Sequence, residues 1–465
     1  MIQVDTIIKT LALTYSDSKL KQFATVFLET FPEERLNQHP VSWWCDFLTL
    51  RYQNFNASIE ENAGIYDQNT HTLSPGWGLD IIYPDSDKLF FTLQTLIREY
   101  ELRVTLALHP MIAVDSTSIR RAAHDDKTAY SSVYIEFEAL PAGVSIHDLK
   151  QRIHMHMIAV QESHKAQAAI AEKVDFIKQY LSDSPETKEW QNLLNWLHDN
   201  FFYYGYQAYE IQDMTRAKQA GIGILSDAYA TVDTTGIQAA LETQVRKKLS
   251  QNRSIYFDRI QAKSPVQRFS RLMRLSFKIK SVNHNFLGIL RRSSLHFKNL
   301  DTPLIHLKMK YIFDQKNLRP GTYDYYEVVR LFTGIPKFEL FRSSKETLLD
   351  MVNKLFSITN PNRVYCFPRK THDAYCFFIY IPFNLYTSEN CEKISAYIQT
   401  TLGCSDIETV KIYDSDKPRM HLYCDKLQHD PDSRLDTALN ALVQPWQDQA
   451  VACFEKNGIQ KSQAL

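Results

Sequence analysis

The period of the hydrophobic pattern changes repeatedly along this chain. With only 13 glycines and no low-complexity linker, those changes are what mark its domains. Residues 7–31 carry Leu11, Leu20, Phe23, Val26, Phe27 and Phe31 at helical spacing, which predicts an apolar stripe on a helix, and a second helix is expected over 37–52. Beyond that point the pattern shortens. Residues 77–83 read as a buried strand, 87–100 as an amphipathic helix, 103–114 as a long apolar strand, 130–140 as an alternating strand and 145–162 as a helix. The order βαββα makes up most of a ferredoxin-like module.

Asp183 and Ser184 ahead of Pro185 form a helix entry, and Trp190, Leu193, Leu194, Leu197 and Phe201 follow at helical spacing. Strands are expected at 202–211, 221–225, 254–260, 272–279 and 286–291, with a helix over 236–249, and helices at 303–316, 323–333 and 344–356 are expected to close this mixed domain. The last segment offers a hairpin at 363–368 and 374–382, a helix over 388–402, strands at 407–414 and 419–425 and a long helix over 435–454. This ββαββα order again suits a ferredoxin-like sheet, although sequence identity between the two modules is too weak to define a repeat.

A chain of 465 residues exceeds one ordinary core and suggests about three domains of roughly 100–200 residues. Its 44% hydrophobic and 23% charged residues fit several packed cores and exclude wholesale disorder. The 53 Lys plus Arg equal the 53 Asp plus Glu, so overall charge gives no reason to expect nucleic acid or an anionic membrane as partner. No apolar run reaches the roughly 18 residues of a membrane span, and Met1 to Leu13, broken by Asp5 and Lys9, lacks the pattern of a signal peptide. A cytoplasmic chain is expected. Six of the seven cysteines lie in the last hundred residues without CxxC spacing, and they are read as reduced, mostly buried small hydrophobes.

The chemistry of a complete enzyme is missing from the sequence. The pairs Gly76-Trp77-Gly78 and Gly221-Ile222-Gly223 lack the third glycine of a dinucleotide fingerprint, Ser226 standing where the second would need it. No Walker A sequence and no GxSxG context occur. His154 and His156, two apart on a helix, face different ways and read as exposed surface histidines, not as a metal pair. Glu136 and Glu138 share the polar face of an alternating strand and read as solvated. The segment 246–298 is dense in Lys and Arg, among them Arg246, Lys248, Arg259, Arg274 and Arg291, with Asp258 as its one acid. Contact with acidic neighbours is the favoured reading there, and binding of an anionic ligand or nucleic acid the less favoured one.

A succession of strings then carries a resemblance. His109-Pro110-Met111-Ile112-Ala113-Val114, the run from Leu194 to Phe201, Gly205-Tyr206-Gln207-Ala208-Tyr209, Gly223-Ile224-Leu225, Phe286-Leu287-Gly288-Ile289-Leu290, Thr302-Pro303-Leu304-Ile305, Pro336-Lys337-Phe338-Glu339-Leu340-Phe341 and the hairpin from Val364 to Pro382 occur in this order. Together they resemble the N-terminal region of the large bacterial NAD-dependent glutamate dehydrogenases over roughly residues 32–450.

The resemblance implies an α+β, multidomain fold. Residues 1–70 would be an N-terminal helical segment, 71–182 a first ACT-like sandwich, 183–358 a PAS-like domain with trailing helices, 359–456 a second ACT-like sandwich and 457–465 a disordered tail. It implies a regulatory or oligomerisation module that lacks the catalytic domain, with no catalytic, cofactor-binding or metal residues of its own. NAD would be bound by the family's catalytic domain, which converts L-glutamate and NAD to 2-oxoglutarate, ammonium and NADH. The alternative is one component of a split glutamate dehydrogenase that acts with a separate catalytic chain.

The implied partners are that catalytic region or chain, further copies in a homo-oligomer, and an amino-acid effector; membrane is excluded and nucleic acid disfavoured. By analogy with ACT-like modules the effector would sit at the loop Tyr83, Pro84, Asp85, Ser86 and Asp87. The plain alternative is a helix-capping loop, since Asp and Ser ahead of a helix can satisfy its free N–H groups without any ligand.

Overall fold

The computed structural model describes residues 2–444 apart from positions 70–71, 74, 124–125, 127, 182–186, 213–219, 250–253, 268–269, 297–298, 371–374, 405–406, 413–416, 425–426 and 433. The expected helix entry at Asp183 and Ser184, the end of the last helix, Cys453 and the tail lie outside the described residues. The chain forms two compact units, Met1–Ser294 and Leu295–Leu465.

The N-terminal apolar stripe folds as two helices instead of one, α1 (Ile2–Thr14) and α2 (Ser18–Leu28). The break falls at Asp17, whose carboxylate accepts the N–H of Lys19 at 2.8 Å and so starts the second helix. A short α3 (Glu33–Leu36) leads to α4 (Val41–Glu61), which runs longer than its periodicity predicts. A strand that the sequence reading missed, β1 (Gly64–Gln68), then pairs antiparallel with β2 (Trp77–Pro84).

α5 (Leu89–Glu99) follows, and then the expected long strand appears as two, β3 (Val104–Leu108) and β4 (Met111–Val114). Pro110 has no N–H for a ladder, which accounts for the interruption. β5 (Ile119–Arg121) and β6 (Ala129–Phe137) complete a six-stranded sheet in the order β1-β2-β6-β4-β5, with β3 also on β6. Every pairing in it is antiparallel. One face carries Leu79, Ile81, Val133 and Ile135 towards α5 and α6 (Ile146–Lys165), and the other carries Ile82, Leu106, Ile112 and Tyr134 towards the N-terminal helices. α6 opens with a capping box between Ser145 and Asp148.

α7 (Gln167–Leu181) and α8 (Lys188–Asn200) lead to a second sheet of β7 (Phe201–Glu210), β8 (Ile222–Gly223), β9 (Ile255–Lys263), β10 (Arg271–Ile279) and β11 (Val282–Leu290). α9 (Asp227–Ala230) and α10 (Ile237–Leu249) lie between β8 and β9 in the chain. The order is β8-β7-β11-β10-β9, all antiparallel. Gly223 sits at φ +68°, and a Cβ there would fall 2.0 Å from the Tyr204 carbonyl oxygen, so only glycine fits this turn. Leu149, Ile153, Tyr204, Leu225, Leu241 and Leu287 belong to one apolar core that joins the two sheets of this unit.

The C-terminal unit begins with α11 (Ile305–Gln315), α12 (Tyr323–Gly334), the unforeseen short α13 (Lys337–Arg342) and α14 (Lys345–Phe356). Then come β12 (Tyr365–Lys370), β13 (Tyr375–Tyr380), α15 (Ser388–Leu402), β14 (Ile407–Ile412), β15 (Arg419–Cys424) and α16 (Leu435–Val443). The sheet order is β12-β13-β15-β14, all antiparallel.

This order and its helix insertions repeat β1-β2-β6-β4 with α5 after β2 and α6 after β6. In both modules the outer strand precedes the βαββα elements instead of following them. Topology thus defines a repeat that sequence identity does not. The described cysteines Cys45, Cys366, Cys376, Cys391, Cys404 and Cys424 are buried, and among the described residues no helix is long and apolar enough to cross a membrane.

Candidate functional site

The loop singled out from the sequence lies where β2 passes into α5, and its residues divide between the interior and the surface. Tyr83 is fully buried, its hydroxyl pairs with His154 Nδ1 at 2.8 Å, and burial pushes its pKa up. Asp85 turns inward too: its N–H donates to the Ala129 carbonyl at 2.8 Å, and its Oδ1 accepts from Ser131 Oγ at 2.5 Å. Because that hydroxyl proton goes to the carboxylate, His109 Nε2, 2.9 Å from the same Oγ, is the donor of the next bond. The His109 ring stacks on Phe90 at 4.5 Å, and burial lowers its pKa against the opposing pull of Asp85.

Pro84 ends the strand, the Ser86 carbonyl accepts the Leu89 N–H at 3.0 Å, and Asp87 is exposed. No side chain caps α5; its N-cap is Lys88, so the expected capping by Asp and Ser side chains does not occur. Asp85 is committed to the sheet instead. The sequence reading found this loop and the His109-Pro110 string separately. What joins them is Ser131, whose small polar side chain gave no signal by itself.

A second cluster lies on the C-terminal sheet. β13 and β15 send Phe377, Ile379, Met420 and Leu422 to the apolar core, so alternation puts Phe378, Arg419, His421 and Tyr423 on the other face. The helices cover that face. Glu339 on α13, wholly buried, is paired with Arg369 on β12, with Arg342 Nε at 2.8 Å and with Ser343 Oγ at 2.9 Å. Arg419 donates to the carbonyls of Leu331 and Lys417, each at 3.0 Å, and Phe338 packs edge-on to Tyr423 at 4.9 Å. Lys308 gathers the carbonyls of Leu340, Phe341 and Ser343 at the end of α13, at 2.7, 2.7 and 2.8 Å. Lys337, also buried, donates to Asn299 Oδ1 at 2.6 Å, and burial pushes its pKa down to about 8.

Two other expectations are corrected. Glu136 is buried, not solvated, because the N-terminal helices cover its face: it accepts from Tyr134 Oη and from the Leu73 N–H, both at 2.7 Å. Its neighbour Glu138 stays exposed. On the same covered face Arg51 lies 3.2 Å from Asp80 and over the rings of Phe47 and Tyr134 at 4.5 and 4.3 Å.

His156 is buried as well, with Nδ1 2.6 Å from the Pro265 carbonyl, so that nitrogen carries the proton, and burial holds the pKa near about 4. In the basic segment, Arg274 is an interior residue that meets the lone acid Asp258 with two bonds of 2.8 Å, and Gln244 of α10 shares that carboxylate at 2.9 Å. Arg253 and Arg268 of that segment lie outside the described residues.

These features define an α+β chain with three antiparallel sheets and a helical segment, α11 to α14, bound to the third sheet through buried charge pairs. That segment is where the chain meets a known family: the family described as glutamate dehydrogenase, helical motif 1, matches residues 302–360. The match relates the chain to glutamate dehydrogenases through this segment, which contains the string from Pro336 to Phe341. No curated protein matches the chain.

Proposed function

We propose that this chain is a regulatory or oligomerisation module of a large NAD-dependent glutamate dehydrogenase, located in the cytoplasm and not catalytic by itself. The observation that carries the reading is the glutamate dehydrogenase helical motif over residues 302–360, with its Glu339 locked onto a small antiparallel sheet. Topology lends support. The strand orders of the first and third sheets are those of a ferredoxin-like sheet whose outer strand has moved to the front, which suits ACT-like modules over 71–182, joined there by β1 from 64–68, and within 359–456. The order β8-β7-β11-β10-β9 is the 2-1-5-4-3 order of a PAS-like sheet within 183–358.

In this reading the partners are a catalytic glutamate dehydrogenase region or chain and further copies of the module, with an amino acid as effector at the loop 83–87. The purified chain with L-glutamate and NAD is expected to yield no NADH above a blank. NADH formation that tracks the chain through purification would overturn the non-catalytic role. Activity that appears only on adding a separate catalytic chain would make it a component of a split enzyme. For the effector, calorimetry with a panel of amino acids should show binding that weakens in Asp87→Ala, and an unchanged affinity would remove the loop.

A further inference from the structure

A cleft opens in the C-terminal unit where α12, the end of α14 and the start of β15 come together. Its charged lining is Glu327 and Arg330 of α12, which their three-residue spacing puts on one helix face, with Lys417 and Arg419 from the chain entering β15. Its apolar lining is Leu331 and Leu355, both buried, and Phe356, which is exposed at the end of α14. About 280 Å³ of empty space, part of it open to solvent, lies among these side chains. A drug-sized pocket runs to roughly 300–1,000 Å³, so this one suits a ligand of fragment size.

The charges converge on one point. Glu327 accepts from Arg330 at 2.7 Å through Oε1, and its Oε2 lies 3.2 Å from Lys417 Nζ. One carboxylate therefore spans the two cations, and a second oxyanion of the same width can span them too. Exposure orders the three groups: the Arg330 and Lys417 side chains are 34% and 32% exposed, and that of Glu327 only 9%. An anion arriving from solvent thus meets two positive heads before the buried negative one. Arg419 adds a third positive charge, fixed by the carbonyls of Leu331 and Lys417 at 3.0 Å in room that Gly334 leaves by having no side chain. Among the described residues of the lining, three cations face a single carboxylate. The apolar part is within reach of the same ligand, since Lys417 Nζ lies 5.5 Å from the centroid of the Phe356 ring.

We propose that this cleft binds a small aliphatic monocarboxylate, its carboxylate bridging Arg330 and Lys417 and its apolar body lying on Phe356, Leu331 and Leu355. Recognition is charge-assisted, with the forked guanidinium taking one side of the carboxylate and the ammonium the other. A zwitterionic amino acid fits less well, because its ammonium would enter a lining with an excess of positive charge. The site does not rest on the glutamate dehydrogenase relationship. It also differs from the effector loop in both place and ligand.

The test uses the full chain with sodium 4-methylpentanoate as probe, read by saturation-transfer NMR at constant ionic strength. The comparators are 4-methylpentanamide, which keeps the shape and loses the charge, and L-leucine, which adds an ammonium to the same skeleton. The carboxylate should bind saturably, the amide should not, and L-leucine should bind more weakly than the carboxylate. Lys417→Met and Phe356→Ala should each weaken binding about fivefold, and Lys417→Arg should retain it. A further readout needs no variant: acetylation of Lys417, mapped by peptide mass spectrometry, should slow in saturating 4-methylpentanoate and not in the amide. No saturable binding of the carboxylate, equal binding of the amide, affinity unchanged in either Lys417→Met or Phe356→Ala, or Lys417 acetylation indifferent to the probe would each overturn the site. Tighter binding of L-leucine than of 4-methylpentanoate would overturn the monocarboxylate as its ligand.

Discussion

Replacing His421 by Phe should make the C-terminal unit more resistant to acid, and the size of the effect follows from where the imidazole sits. The residue is wholly buried on β15, edge-on to Phe378 at 4.8 Å, and neither ring nitrogen has a hydrogen-bond partner among the described residues. Burial, with Arg419 and Arg369 adding like charge, pushes its pKa down to about 3. An unfolded histidine titrates near about 6.5. Between those values the unfolded chain binds a proton that the folded chain refuses, so this contribution to stability is present above pH ~6.5 and is lost as pH falls. Linkage puts the loss at about 2 kcal/mol by pH ~5, a figure that hardly depends on the folded value because pH ~5 already lies well above it.

Phenylalanine preserves the aromatic contact, does not titrate and leaves no orphaned nitrogen, which should add about 1–2 kcal/mol at every pH. Because a chain of two units need not unfold in one step, the assay is amide hydrogen exchange of peptides covering 375–380 and 419–424 in the intact protein, corrected for intrinsic rates. The opening free energy of His421→Phe should exceed that of the wild type at pH ~8, and the gap should widen by about 2 kcal/mol at pH ~5. Parallel pH curves, or a variant less protected than the wild type at pH ~8, would mean that the imidazole is charged or bonded in the folded chain and would refute the reasoning.

Glu339→Ala should destabilise the C-terminal unit by about 3 kcal/mol, since it strands Arg342 and Arg369 against each other, and Glu339→Gln should cost less; a loss under ~1 kcal/mol by the same exchange measurement would show that the cluster holds nothing together. Asp80, pushed up to about 6 by burial against the pull of Arg51 and Asn54, has a folded pKa above its unfolded value of ~3.9, so its contribution grows on acidification. Compared with Asp80→Asn, the wild type should therefore gain about 2 kcal/mol between pH ~7 and pH ~4 in exchange of the β2 amides, and a relative loss over that range would reverse the assignment.

Elements with a clean period and clear ends were legible in the sequence. The middle sheet shows this: strands expected at 254–260, 272–279 and 286–291 appear as Ile255–Lys263, Arg271–Ile279 and Val282–Leu290, because Met273, Leu275 and Phe277 alternate with polar residues. Short elements were not. Gly64–Gln68 holds too few residues to establish a period, and Lys337–Arg342 is buried on nearly every side, so it has no polar stripe to reveal a helix. In the candidate loop the sequence supplied position but not direction. Nothing local distinguishes Asp85, which turns in to Ser131, from Asp87, which stays in water.

The burial of three polar strand residues has one physical cause. Glu136, Arg274 and His421 all lie on the polar side of alternating strands, where period alone predicts solvent. Each is covered by a helix distant in sequence or topology: α4 lays Phe47 against Tyr134 beside Glu136, α10 brings Gln244 to the Asp258 that holds Arg274, and α13 sets Phe338 on Tyr423 beside His421. Periodicity identifies the face of a strand but not whether that face is covered, which is a tertiary fact. Once covered, a polar face must find internal partners. Glu136 finds Tyr134 and Leu73, Arg274 finds Asp258, and His421 finds no hydrogen-bond partner among the described residues. The resemblance strings add what period cannot. Pro336-Lys337-Phe338-Glu339-Leu340-Phe341 falls between two expected helices and has no period of its own, yet it supplies the carboxylate that meets Arg369 on the third sheet. A helix that carries the buried carboxylate paired with a half-buried strand arginine cannot drift in sequence without leaving a charge unmatched, and this gives the string a physical reason beyond resemblance.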